Sequence, residues 1–91
     1  AGAPESFSLG QNYPNPFNPS TTIRFQVTQA CRVVLKVVDL RGREMSTAAD
    51  AVYPPGEHTV RFDATGLQSG LYIYRIDAGG FHAARKMAVM K

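Results

Sequence analysis

Tryptophan is missing from this chain and cysteine occurs once, at Cys31. A single cysteine excludes an internal disulfide, so a domain of 91 residues must be held by its core. Cys31 stands beside Val33 and Leu35 in an alternating stretch, where it reads as a small buried hydrophobe rather than a reactive thiol. Long hydrophobic runs are missing too, the longest being about five residues against the roughly 20 that a membrane-spanning helix needs. Charge of neither sign is concentrated. Ten Lys and Arg against seven Asp and Glu leave a net charge of +3, but Arg85-Lys86 is the one adjacent basic pair, which speaks against nucleic acid as a partner.

The residues of a catalytic or metal centre are equally scarce. His58 and His82 are the two histidines, and neither has the three or four convergent ligands of a zinc site. Ser69, His58 and Asp63 can be grouped on paper, yet no nucleophile elbow or oxyanion motif accompanies them. Gly79-Gly80 lacks the helix and lysine of a phosphate loop. Asp39, Asp50, Asp63 and Asp77 are all expected beside turns, in structural roles. The composition therefore points away from an enzyme and implies no cofactor.

What is present is alternation with period two. Ile23, Phe25 and Val27 alternate with Thr22, Arg24 and Gln26; Val33, Leu35 and Val37 alternate with Arg32 and Lys36. A turn at Asp39-Leu40-Arg41-Gly42-Arg43 follows, with Gly42 free to take positive φ. Glu44 to Ala49 reads as a weak edge strand, and Pro54-Pro55-Gly56 breaks the ladder. His58, Val60 and Phe62 form a further strand, Tyr72, Tyr74 and Ile76 the next, and Met87 with Val89 the last. With a short piece around Phe7 to Leu9 this makes seven strands spaced by about 10 to 15 residues, the pattern of an all-β antiparallel sandwich. The expected core is Ile23, Phe25, Val27, Val33, Leu35, Val37, Val60, Phe62, Tyr72, Tyr74, Ile76, Met87 and Val89.

Two local signatures stand apart. Asn12-Tyr13-Pro14-Asn15-Pro16-Phe17-Asn18-Pro19 forbids helix and central strand, so it reads as a rigid crossover pinned by Tyr13 and Phe17 onto one end of the sandwich. Leu67, Gly70 and Tyr72 fit the tyrosine corner of Greek-key sandwiches, in which the ring packs inside and the hydroxyl returns to backbone. The small, polar stretch Ala1 to Ser6 reads as a linker remnant, leaving 7–91 as one domain of a longer protein.

In this order the pieces resemble the C-terminal sorting domain of the type IX secretion system, type A, from Leu9 to Lys91. The resemblance rests on Gln11 to Pro19, Thr21-Thr22-Ile23-Arg24-Phe25, Asp39 to Glu44, Gly56-Glu57-His58, Gly70-Leu71-Tyr72 and Lys86 to Lys91. Met45 departs from the valine that the family often carries there. The resemblance implies a seven-stranded antiparallel immunoglobulin-like β-sandwich with Greek-key connections, non-catalytic, behind an N-terminal cargo domain of a secreted bacterial protein. It also implies transport across the outer membrane, retention at the cell surface, and a partner in the outer-membrane secretion machinery or on that surface. Its sorting-motif candidates are Gly42, Gly70, Tyr72, Lys86, Met87, Val89 and Lys91. Flagellar hook-capping proteins contain a similar sandwich, so fold alone does not assign the role.

A carbohydrate-binding module of a secreted glycoside hydrolase is the competing reading. It is weakened by the absence of tryptophan, and Tyr53 is its best exposed candidate. The alternation also places Val34, Val38, Leu71 and Ile73 on the outer side of one sheet with Met90. Edged by Lys36, Arg75 and Lys86, they form an expected apolar docking stripe.

Overall fold

The computed structural model describes residues 6–90, so Lys91 and all but Ser6 of the linker stretch lie outside the described residues. Alternating sequences become strands wherever one face can be buried, and seven do so: β1 (Ser8–Leu9), β2 (Ser20–Val27), β3 (Cys31–Val38), β4 (Glu44–Tyr53), β5 (Gly56–Asp63), β6 (Gly70–Ala78) and β7 (Phe81–Val89). They form two antiparallel sheets, ordered β1-β2-β5 and β4-β3-β6-β7. The chain changes sheet after β2, after β4 and after β5, which gives the immunoglobulin-like sandwich its interleaved connectivity.

Turn chemistry sets the hairpins. Gly79 and Gly80 have φ of 55° and 90°, the paired positive values that a two-residue turn between right-twisted strands requires. At the β3–β4 turn Gly42 has φ of 88°, and Asp39 Oδ1 accepts the amides of Arg41 and Arg43, each at 2.9 Å. The β4 strand runs four residues beyond the expected edge strand, to Tyr53. Its pairing with β3 shifts between Leu35 and Lys36 and again between Val37 and Val38, and such bulges blunt an edge against further pairing.

The two inner faces enclose the expected core, with one correction. Val60 is half-buried rather than buried, because β5 is an edge strand of the smaller sheet and has no neighbour beyond it. Leu9, Phe17, Ala64 and Ala78 join the core. Phe17 pins the proline-rich crossover as expected, 2% exposed and edge-on to Phe62. Tyr13 does not, being 81% exposed. Its backbone exchanges two hydrogen bonds with Thr22, both 2.9 Å, and directly opposed residues share a face; Thr22 points outward and takes Tyr13 with it. Cys31 is half-buried against the core. Asp50 lies inside β4 rather than beside a turn, held by Arg32 on the neighbouring strand.

Candidate functional site

The last strand is the centre of the candidate site, and two tyrosines of β6 organise what lies around it. Tyr72 enters the core just after Gly70, and its hydroxyl donates to the Gln68 carbonyl at 2.8 Å. That is the corner geometry read from the Leu67, Gly70 and Tyr72 spacing. Tyr74 is fully buried; its hydroxyl donates to the Gly10 carbonyl at 2.7 Å and accepts the Asn12 amide at 2.8 Å. Burial raises its pKa above the ordinary tyrosine value, against the opposing pull of the Asn12 N–H and Arg85.

From this hub the Asn/Pro-rich segment runs along β7 as a strap. Asn12 Nδ2 donates to the Pro14 carbonyl and to Thr21 Oγ1, at 3.2 and 3.1 Å. The three X-Pro bonds at Pro14, Pro16 and Pro19 are cis. Gln11 Nε2 donates to the Lys86 carbonyl at 2.8 Å, and Asn15 Oδ1 accepts the Ala88 amide at 2.9 Å. The Phe17 amide donates to the Ala88 carbonyl at 3.1 Å, and the Met90 amide to the Phe17 carbonyl at 3.0 Å. Arg85 Nε reaches the Leu9 carbonyl at 2.6 Å. A sheet edge left open would be a template for strand addition; here the free edge of β7 is closed by the chain's own segment 9–17. The sequence pointed to a rigid crossover pinned by its aromatics, but not to the bonds that Gln11, Asn15 and Phe17 make with β7, whose partners lie more than 70 residues away.

The outer face of the four-stranded sheet is set by register. Val34 aligns with Asp50 and Asp77, Lys36 with Thr47 and Arg75, and Val38 with Glu44 and Ile73. Across β6 and β7, Ile73 aligns with Lys86, and Leu71 with Ala88. The expected apolar stripe is therefore interrupted. Lys36 and Arg75 both pair with Glu44, at 2.9 and 3.8 Å, and this charged row separates Val34 from Ile73 and Leu71. Arg32 forms a two-point pair with Asp50 at 2.8 and 3.0 Å. The hydrogen bond from Lys36 lowers the Glu44 pKa, and that from Arg32 lowers that of Asp50. A groove of about 650 Å³ crosses the charged middle, between Val34, Arg75 and His82.

The remaining candidates divide between the interior and this face. Met87 and Val89 are buried, as is Tyr72. Gly42 and Gly70 shape turns at one end of the sheet, while Lys86 is exposed. Lys91 lies outside the described residues. Leu71 is 52% exposed and Ile73 and Val34 are half-buried. Val38 corrects the expectation of an open stripe: it is 2% exposed although register puts it on the outer face and it lies outside the main core cluster. Tyr53, the candidate sugar platform, is half-buried and packs against Phe25 and His58, with ring centroids 5.1 and 5.0 Å apart. Among the described residues no cluster of three or more metal-ligating side chains occurs, and no helix is long and apolar enough to cross a membrane.

Compared with known proteins, residues 11–90 match the sequence model of a family described as the secretion system C-terminal sorting domain. Neither the curated proteins nor the solved structures provide a match.

Proposed function

As a member of the secretion-system C-terminal sorting domains, which its match over residues 11–90 makes it, the chain sorts a secreted protein, and we propose that it does so by carrying an N-terminal cargo across the bacterial outer membrane and then holding it at the cell surface. One observation carries this reading. The family match runs from the strap through β7 and so takes in six of the seven strands rather than a short tail. The domain itself is non-catalytic in this reading, and any chemistry belongs to the cargo. Residues 1–6 are the junction to that cargo, where small residues and a proline suit protease access after export.

Within this unit Gly42, Gly70 and Tyr72 shape the end of the sheet, Met87 and Val89 anchor the last strand, and Lys86 offers charge beside it, while Lys91, also proposed for the motif, lies outside the described residues. On the outer face of the four-stranded sheet Leu71, Ile73, Arg75, Lys36 and Val34 are open to the secretion machinery, whereas Val38, 2% exposed, is not, so docking falls toward the Leu71 end of that face. The test is a reporter fused in front of Ala1–Lys91 in a host with a type IX apparatus. Reporter on the cell surface is the expected outcome, and reporter held in the periplasm overturns the sorting role. Mass spectrometry of the exported fusion then reads the junction: a cut at 1–6 separates processing there from direct anchoring by the domain.

A further inference from the structure

Six large hydrophobic side chains are exposed among the described residues, and four of them, Leu40, Met45, Leu71 and Met90, lie at one pole of the four-stranded sheet. Three separate stretches bring them there. Leu40 sits in the β3–β4 turn with Met45 just beyond it, Leu71 is the second residue of β6, and Met90 follows β7. Leu40, Leu71 and Met90 are each more than half exposed, whereas Val38 beside them is already buried. Scattered single hydrophobes are ordinary on a surface, but convergence at one end is not.

The turn that presents Leu40 is fixed before any partner arrives. The Asp39 carboxylate accepts two amides, and Asp39 and Arg43 are joined by a backbone bond at 3.0 Å. Hydrogen bonds from the turn's backbone, that of Arg43 foremost, lower the Asp39 pKa and keep it charged. A preorganised loop loses less freedom on binding. The charges of the pole are also unequal. Asp39 is engaged by Arg43, and Glu44 by Lys36 and Arg75. Arg41 and Lys86 are exposed and have no ion pair to a described residue.

The chain enters at the other pole. Phe7 stacks on Phe81 at 5.5 Å, beside the β6–β7 hairpin tip, and the molecule is 39 Å along its longest axis. Phe7 thus stands at the far end of the sandwich from Leu40, Leu71 and Met90. We infer that this pole is the docking surface of the sorting domain, and that its partner is a protein of the secretion machinery presenting an apolar cleft edged by carboxylates. The inference rests on the sorting role and names where and with what it is read. A lipid surface fits less well, because the exposed side chains are Leu and Met rather than interfacial Trp and Tyr, and the two cations without an ion pair among the described residues of this pole are few for an anionic membrane.

The exported reporter fusion tests it with three variant pairs. Leu40→Ser with Leu71→Ser is expected to lower export at least about tenfold, as is Arg41→Glu with Lys86→Glu, since charge of the wrong sign costs more than lost contact. Arg41→Gln with Lys86→Gln should lose less than the Glu pair. Val52→Ser, at a still more exposed position of the opposite pole, should export normally. Urea midpoints of the purified domains keep the result readable, and the charge pair involves exposed side chains that the fold does not use. Normal export of both pole pairs beside an exported wild type overturns the inference and leaves the sorting role standing. A wild-type fusion that stays inside overturns the sorting role itself. Equal loss from the Gln and Glu pairs overturns the carboxylate rim. Binding to vesicles of phosphatidylglycerol and phosphatidylethanolamine that is lost in the pole variants overturns the protein partner in favour of lipid.

Discussion

Two tyrosines separated by one residue on the same face of β6 do different work. The Tyr72 hydroxyl reaches four residues back along the chain, to Gln68, so its bond is a local fastening of one corner. The Tyr74 hydroxyl binds Gly10 and Asn12, 64 and 62 residues away, and Asn12 is itself buried at 2% exposure. Removing a partner from a buried donor costs its desolvation, which exceeds the net worth of an ordinary bond. Tyr72→Phe is therefore expected to cost about 0.5–1.5 kcal/mol and Tyr74→Phe about 1–3 kcal/mol in urea unfolding. Hydrogen exchange gives a sharper separation. The Asn12 amide should exchange faster in Tyr74→Phe and unchanged in Tyr72→Phe; equal protection in both would mean that the strap does not hang on Tyr74.

The β3–β4 hairpin concentrates the domain's shifted carboxylates. Asp39 is lowered by backbone N–H donors, first that of Arg43, Glu44 by Lys36 and then Arg75, and Asp50 by Arg32. A depressed folded-state pKa stabilises the fold above the unfolded value, and that contribution disappears as pH falls through the folded value. Unfolded carboxylates titrate at about 3.9 to 4.3, so the urea midpoint should be flat from pH 7 to 5 and fall below about pH 4. Salt at 0.5 M should reduce the part owed to Glu44 and Asp50, which rest first on exposed cations, more than the part owed to Asp39, which rests first on backbone amides and only secondarily on Arg43. An acid response confined to the Asp39→Asn comparison, with none in Glu44→Gln or Asp50→Asn, would show that the cross-strand pairs add nothing measurable.

At the scale of the molecule the strap, both sheets and the last strand share one core. Phe17 lies in the same buried cluster as Phe62, Tyr74 and Val89, so the proline-rich segment should not open alone although most of its residues are exposed. Small single-core domains unfold in one cooperative step, and cleavage of an open state follows its population when reclosing is fast. Proteolysis between Gln11 and Pro19 should accordingly show the same urea dependence as loss of the β signal in circular dichroism. Cleavage well before that transition would place the strap outside the cooperative unit. Such coupling would matter for sorting, because the C-terminal pole then exists only once the whole domain has folded.

The sequence alone determined which residues become strands, which face of each turns inward, and where the Gly42 and Gly79-Gly80 turns fall, because period-two alternation and positive φ are local properties. The Tyr72 corner was legible for the same reason, its partner being four residues away. Val38, Asp50, Val60, Tyr13 and Tyr53 were placed otherwise by the fold. Alternation names a face but not the neighbours on it, and those neighbours follow from cross-strand register, from two shifts opposite β4, and from β5 standing at a sheet edge. The strap over β7, the charged row that divides the outer face, and the gathering of Leu40, Leu71 and Met90 at one pole join residues tens of positions apart. Only the pairing of distant strands decides which of them meet.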